Sequence, residues 1–135
     1  GKWKEHFSWM LRLAYTWQKA LDITNRNESS YKNFIPYTPE HSGSGIFSVS
    51  LKQWIAGYNL LFSGTRYTQK ENHPTNELNG WGIHDIFVAR SFSYKQYNLQ
   101  LRAGLNNITD KAYAIVNNYP MPGRNIKISL LVNNL

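Results

Sequence analysis

The sequence predicts an all-β chain whose strands form part of an antiparallel transmembrane β-barrel wall. Six segments alternate apolar and polar residues with a period of two, the pattern of a strand with one apolar and one polar face. The connections alternate between long polar loops and two-residue turns, as in outer-membrane barrels. Charged residues make up only 17% of the chain and aromatic residues 15%, which suits a wall between lipid and water.

The first strand is predicted from Phe7 to Leu21. Its apolar residues alternate with polar or small ones through at least eleven positions, and a tilted strand needs about 9–11 residues to cross a bilayer. The apolar residues do not recur at intervals of three and four, which argues against a helix. A polar loop is predicted over residues 22–40, because Pro36 and Pro39 prevent regular pairing there.

The second and third strands are predicted over residues 42–51 and 54–67, joined by a two-residue turn at residues 52–53. Residues that flank such a turn pair directly and point to the same face of the sheet. Leu51 and Trp54 flank the turn, and each lies on the apolar face of its own strand. The two apolar faces therefore agree, as a hairpin requires.

The fourth and fifth strands are predicted over residues 81–94 and 97–106, joined by a second two-residue turn at residues 95–96. Tyr94 and Tyr97 flank this turn, and each again lies on the apolar face of its own strand. A last strand is predicted over residues 126–132, after a long loop over residues 106–124 that contains two prolines and a glycine.

One residue on the predicted apolar face conflicts with a lipid environment. Arg90 lies in phase with the apolar residues of the fourth strand, and an arginine that faces lipid at mid-membrane costs about 2–4 kcal/mol. Arg90 is therefore expected near a rim, where its side chain can reach water, or beside a β-bulge that shifts the register.

The loop pattern predicts which end of the wall faces outwards. Placing the two-residue turns in the periplasm puts the long loops 22–40, 69–80 and 106–124 outside. Aromatic residues then mark both membrane interfaces, as such walls require. They are Trp54, Tyr94 and Tyr97 at the inner interface, and Trp17, Tyr67 and Trp81 at the outer one.

Six strands are too few to close a barrel, since the smallest single-chain barrels have about eight. An open edge would leave unpaired backbone groups in lipid. The first and last strands are therefore expected to pair with strands outside these 135 residues.

No constellation of residues predicts catalysis or cofactor binding. The chain has no cysteine, which excludes disulfides, zinc–thiolate sites and thiol nucleophiles within it. Its four histidines are widely spaced, its carboxylates are scattered, and neither set has the spacing of a metal site. The net charge of +7 comes from lysines and arginines spread almost evenly along the chain, which argues against nucleic-acid binding. We expect no enzyme activity, no cofactor and no metal.

The end of the chain resembles a known family. Residues 107–113 read NITDKAY and residues 119–124 read YPMPGR, followed by the last strand. This text resembles the carboxy-terminal end of TonB-dependent outer-membrane receptors, where N-L-x-D/N-K-x-Y precedes a loop, P-G-R and the closing strand. The close match covers about thirty residues. The motif residues are Asn107, Asp110, Lys111, Tyr113, Tyr119, Pro120, Pro122, Gly123 and Arg124.

We expect this motif to build the outer loop rather than to touch substrate. Gly123 is expected to take a positive φ in the turn before the last strand. Arg124 is expected to reach loop carbonyls or a carboxylate such as Asp110. The family's last strand normally ends in an aromatic residue, whereas here the alternation reaches Asn134 and the sequence ends at Leu135.

The resemblance implies that residues 1–135 are the carboxy-terminal part of the barrel, the last six of about twenty-two strands. It implies an active transporter of the outer membrane that imports a large, scarce nutrient (a siderophore, haem, cobalamin or a glycan) with energy from TonB. The implied partners are the outer-membrane bilayer, the rest of the barrel, a plug domain absent from these residues, TonB acting through that plug, and the nutrient. A surface lipoprotein is a further candidate partner.

Within this reading, the three long loops are candidates for substrate capture. Arg12, Arg66 and Arg102 are candidate cations of the lumen. Two alternatives remain open from the residues alone. One is a passive outer-membrane porin, and the other is a soluble antiparallel sandwich that binds carbohydrate through exposed tryptophans and tyrosines.

Overall fold

The computed structural model describes residues 7–134, so His6 and Leu135 lie outside the described residues. Ten strands are present in this part of the chain, and no helix in it is long and apolar enough to cross a membrane. In chain order the strands are β1 (Phe7–Trp17), β2 (His41–Leu51), β3 (Trp54–Ser63), β4 (Arg66–Tyr67), β5 (Glu77–Leu78), β6 (Trp81–Tyr94), β7 (Tyr97–Asn106), β8 (Ala114–Val116), β9 (Tyr119–Pro120) and β10 (Asn125–Asn134).

The six long strands form one antiparallel sheet in the order β1-β2-β3-β6-β7-β10. All six predicted strands are present, and every neighbour in the sheet is the next long strand along the chain. The four short strands form two separate pairs, β4 with β5 and β8 with β9. The sheet is therefore an up-and-down meander, the arrangement that the predicted barrel wall requires.

Two predicted strand ends were wrong. β1 ends at Trp17 instead of Leu21, because β2 begins at His41, directly opposite Trp17, and offers no partner beyond it. β3 ends at Ser63 instead of Tyr67 for the same reason, since β6 begins opposite Ser63 at Trp81. The chain beyond each end turns away from the wall and enters the loops.

Both two-residue turns have the predicted register. Leu51 pairs with Trp54, and Tyr94 pairs with Tyr97. The first residue of each turn has a positive φ, 55° at Lys52 and 51° at Lys95. Tight hairpin turns need such a residue, because it matches the right-handed twist of the flanking strands.

The sheet has one apolar and one mainly polar face, and its apolar face is bare. Leu13 is 74% exposed and Ile126 75% exposed, and large apolar residues are exposed on all six long strands. Among the described residues, only Ile83 and Ala89 are buried apolar side chains. No second sheet covers the wall in residues 7–134. A soluble sandwich would bury this face, whereas a membrane wall presents it to lipid.

Arg90 lies at the level of the turn between β2 and β3. It pairs with Trp54, the first residue of β3, and its guanidinium lies 5.2 Å from the centre of the Trp54 ring. The next residue, Ser91, donates its N–H to the carbonyl of Gln53 within the turn at 2.9 Å. Pairing through Arg90 is regular on both sides. Of the two expected solutions, the structure therefore has the rim position and not the bulge.

Candidate functional site

The long loops gather at the end of the sheet opposite the two-residue turns. Residues 18–40, 64–80 and 107–124, which we call the loop layer, contain both short strand pairs. Direct hydrogen bonds join the first two segments, since Tyr37 N–H donates to the carbonyl of Tyr67 at 2.7 Å. Asn72 also bonds both the N–H and the carbonyl of Phe34 through its side chain. The loops therefore form one connected layer rather than separate arms.

Asn107 anchors the third segment of the loop layer to the wall. It is only 2% exposed and has a φ of 50°, a left-handed conformation that asparagine tolerates better than most residues. Its Oδ1 accepts from Lys111 N–H at 2.9 Å, and its Nδ2 donates to the carbonyls of Lys111 and Pro122 at 2.9 and 3.4 Å. Its own N–H donates to Asp85 on β6 at 2.8 Å. The side chain thus uses both its donor and its acceptor to close the loop.

Asp110 holds the start of the last strand. Its Oδ1 accepts the backbone N–H of Arg124 at 2.8 Å, and its Oδ2 lies 3.7 Å from the Arg124 guanidinium. The positive φ predicted at Gly123 was wrong, because no described glycine has one, whereas Asp110 has a φ of 52°. Gly123 is needed for space instead, since a Cβ there would lie 2.8 Å from Asp110 Oδ1.

Gly123→Ala is therefore expected to push the Asp110 carboxylate away and to break its bond to Arg124 N–H. We expect the free energy of opening the loop to fall by about 1–2 kcal/mol. This corresponds to about 5–30-fold faster trypsin cleavage next to Lys111 or Arg124 in the full-length protein. Gly82→Ala is the matched control, because a Cβ there would lie 3.9 Å from its nearest atom. Equal cleavage rates in the two variants would contradict this role of Gly123.

The other motif residues lie within the same loop segment. The Tyr113 ring packs against the Trp81 ring at a tilt of 46°, with ring centres 4.8 Å apart, and the Tyr113 carbonyl accepts from Met121 N–H at 2.9 Å. Tyr119 and Pro120 form β9, and Tyr119 is 71% exposed. The motif therefore joins β6, β7 and β10 at the end of the sheet that carries the loop layer, and it leaves an aromatic side chain free at the surface.

The structure does not bring the three candidate lumenal arginines together. Arg12 on β1 and Arg102 on β7 both lie on the polar face, but β2, β3 and β6 separate them. The Arg102 guanidinium lies 3.7 Å from the centre of the Phe87 ring. Arg66 is not on the wall at all, because β3 ends before it and it belongs to β4 in the loop layer.

Arg66 is a buried cation that binds backbone carbonyls. It is 4% exposed, and its Nη2 donates to the carbonyls of Ala114 and Ile115 at 2.6 and 3.1 Å. No carboxylate of the described residues pairs with it, and its Nη1 has no hydrogen-bond partner there. Burial lowers the pKa of Arg66 from its usual value, and nearby Tyr37 acts in the opposite direction. Arg66 thus joins the second loop segment to the third.

In residues 7–134, no three side chains of the metal-binding types lie close enough together to hold an ion. The described histidines are engaged elsewhere. His41 and His84 each lie within hydrogen-bond distance of a tyrosine hydroxyl, Tyr15 and Tyr58 respectively, and His73 bonds Thr75. The geometry is that of a wall with a loop layer at one end.

A family model described as "TonB dependent receptor-like, beta-barrel" matches residues 1–108. The chain belongs to this family. Membership favours the barrel wall over the soluble sandwich, in agreement with the bare apolar face. The match ends at residue 108, so it includes only the first two residues of the motif region 107–124. The assignment of that motif to the family therefore rests on the resemblance and on the contacts described above.

A solved structure shares the fold of this TonB-dependent receptor segment. The crystal structure of the ferric citrate transporter FecA in its unliganded form matches with a TM-score of 0.66 and 23% identity. The match covers 79% of this chain and 18% of that one. At this identity the likeness shows the fold alone, and the chain spans less than a fifth of the FecA chain. A search of curated proteins found no match.

Sequence reasoning missed two residues that organise this receptor segment. Asn72 looks like any loop asparagine, and no local pattern points to its bonds with Phe34, which is 38 positions away. Phe87 did leave a signal, since it is an aromatic residue on the polar side of the alternation. An aromatic ring there indicates a neighbour without a side chain, and Phe87 lies between Gly57 and Gly104 in the sheet.

Proposed function

We propose that this chain forms the carboxy-terminal wall and outer loops of an outer-membrane receptor that imports a large, scarce nutrient with energy from TonB. The observation that carries the proposal is the difference between the two ends of the sheet. One end has two-residue turns, and the other has the connected loop layer. In outer-membrane barrels the short turns face the periplasm and the longer loops face the outside, where a receptor would capture its solute.

The two faces of the sheet then have different roles. The apolar face meets the lipid of the outer membrane, and the polar face lines the lumen, where a plug domain supplied by the rest of the protein would contact TonB. β1 and β10, at the sheet edges, pair with other strands of the same barrel, because lipid cannot satisfy their free backbone groups. The nutrient would be an iron–siderophore, haem, cobalamin or a glycan.

The orientation of the wall can be tested with single cysteines, because the chain has none of its own. In the full-length protein, Tyr119→Cys is expected to react with a membrane-impermeant maleimide on intact cells. Gln96→Cys, at the opposite end and also exposed, is expected to react only after the outer membrane is permeabilised. The reverse result would place the loop layer in the periplasm and would overturn the proposed role of the loops.

Transport itself is tested by uptake in the native host. Deleting the full gene is expected to abolish high-affinity accumulation of one labelled nutrient among the proposed classes, and the intact gene is expected to restore it. Inactivating TonB should abolish the same uptake. A passive porin would retain its uptake without TonB and would conduct ions steadily in a planar bilayer, so either observation would favour that alternative.

A further inference from the structure

A cavity of about 240 Å³ lies on the polar face of the wall, over Gly104 on β7. Phe87 lies between two glycines in the sheet, Gly57 on β3 and Gly104 on β7. A Cβ at Gly57 would lie 2.3 Å from Phe87 Cε1, so the ring covers Gly57 and leaves Gly104 open. Two glycines and one tilted aromatic ring thus create the cavity.

Two cations border this cavity. Lys127 pairs with Gly104, and Arg102 lies two positions before Gly104 on the same face. Neither forms an ion pair or a hydrogen bond with another residue in the described part of the chain. The Arg102 guanidinium rests on the Phe87 ring at 3.7 Å. A stacked guanidinium keeps its N–H edges available for a ligand while its plane is held in place.

The remaining polar groups do not neutralise these charges. Asp85 also borders the cavity, but its Oδ1 accepts the N–H of Asn107 at 2.8 Å. It lies beyond ion-pair distance of both cations. Ser129, which pairs with Arg102, offers a hydroxyl that has no bonded partner in residues 7–134. The cavity therefore combines two cations, one hydroxyl donor, the amides of Asn59 and Asn106, and a single carboxylate whose Oδ1 is already engaged.

We propose that this cavity is a carboxylate-binding site, in which Arg102 and Lys127 hold the anionic oxygens and Ser129 donates a further hydrogen bond. Arginine binds a carboxylate through two parallel N–H groups, and lysine adds a point charge. The inference rests on the proposed function, which makes this face the lumen wall. The carboxylate comes either from a solute in the lumen or from a side chain elsewhere in the full-length receptor.

The test uses a reporter thiol in the full-length receptor, with any cysteine outside these residues replaced. Ser129→Cys introduces the thiol directly opposite Arg102. Its reaction rates with a negatively charged and a positively charged methanethiosulfonate are compared with those of a free thiol at about 0.1 M ionic strength. We expect the anionic reagent to be favoured, and we expect Arg102→Gln and Lys127→Gln each to lower that preference by about five- to tenfold.

Arg12→Gln is the matched control. It removes a cation from the same face, but Arg12 lies four strands from β7, about 19 Å at the usual strand spacing and beyond the screening length at 0.1 M salt. We expect this control to leave the reagent preference unchanged. Gly104→Ala should add a methyl group to the floor of the cavity and narrow it without disturbing the sheet, because the new Cβ would meet its neighbours at 3.4–3.9 Å.

Succinate and uncharged succinamide distinguish the two sources of the carboxylate. Protection of the thiol by succinate but not by succinamide, lost in Gly104→Ala, supports a site for solutes. Slow reaction with both reagents, unchanged by succinate and accelerated by Arg102→Gln, supports a carboxylate of the protein itself. If both reagents reacted at the same rate relative to a free thiol, and Arg102→Gln did not change these rates, the proposed site would be overturned. These rates do not depend on transport, so a failure of the TonB uptake test remains a separate result.

Discussion

Asn107→Ala is expected to detach residues 107–124 from the end of the wall. The change removes three side-chain hydrogen bonds at a buried position and places alanine in a left-handed conformation. Together these effects should reduce the free energy that favours the closed loop by about 3–4 kcal/mol. In the full-length receptor, proteolysis within this segment should be accelerated by about a hundredfold or more.

Two further substitutions separate the causes of this effect. Asn107→Gly loses the same bonds but fits the positive φ, so it should be less damaging than Asn107→Ala by about 1 kcal/mol. Asn107→Asp keeps the acceptor for Lys111 N–H but loses the two donated bonds, and it adds a negative charge next to Asp85. If all three variants were cleaved as slowly as the native protein, Asn107 would not anchor the loop.

The wall could be predicted from the sequence because neighbouring residues determine both the faces of its strands and the register of its hairpins. Alternation fixes the two faces of a strand, and the parity of a two-residue turn fixes the register of a hairpin. Leu51 opposite Trp54, and Tyr94 opposite Tyr97, follow from positions only three apart. Arg90 was the informative exception, since its conflict with the apolar face correctly led to a rim position.

The loop layer could not be predicted in the same way, because long-range contacts hold it together. Arg66 bonds the carbonyl of Ala114, which is 48 positions away, and nothing around Arg66 in the sequence indicates that partner. Alternation extended β3 as far as Tyr67 and so placed Arg66 within the wall. The actual strand end depends on where β6 begins, which is a property of the neighbouring strand.

Gly123 shows a related limit of the sequence argument. A glycine beside a proline before a strand suggests a turn with a positive φ. The structure gives the left-handed conformation to Asp110 and Asn107 instead, and uses Gly123 to admit a carboxylate. The motif residues make the contacts that close the loop, and the reason for the glycine became clear only from the packing.

Arg66→Ala is expected to separate the second and third segments of the loop layer. The guanidinium makes the two bonds from β4 to Ala114 and Ile115, and bonds from a charged donor are worth about 1.5–3 kcal/mol each. Spin labels at Gln69 and Asn117, both exposed in these segments, would report the separation in the full-length receptor. A broad distance distribution should replace a narrow one. Arg26→Ala is the control, because Arg26 is exposed and has no bonded partner in residues 7–134.

Arg66→Lys and Arg66→Met show whether the charge or the shape of the side chain matters. Lysine keeps a buried cation without a carboxylate partner but cannot bond two carbonyls with a rigid fork, so it should loosen the loops nearly as much as alanine. Methionine fills the space without a buried charge, and it should keep β4 packed while freeing the hairpin of β8 and β9. A narrow distribution in Arg66→Ala would show that other contacts, such as the packing of the Tyr113 ring against Trp81, hold the layer together.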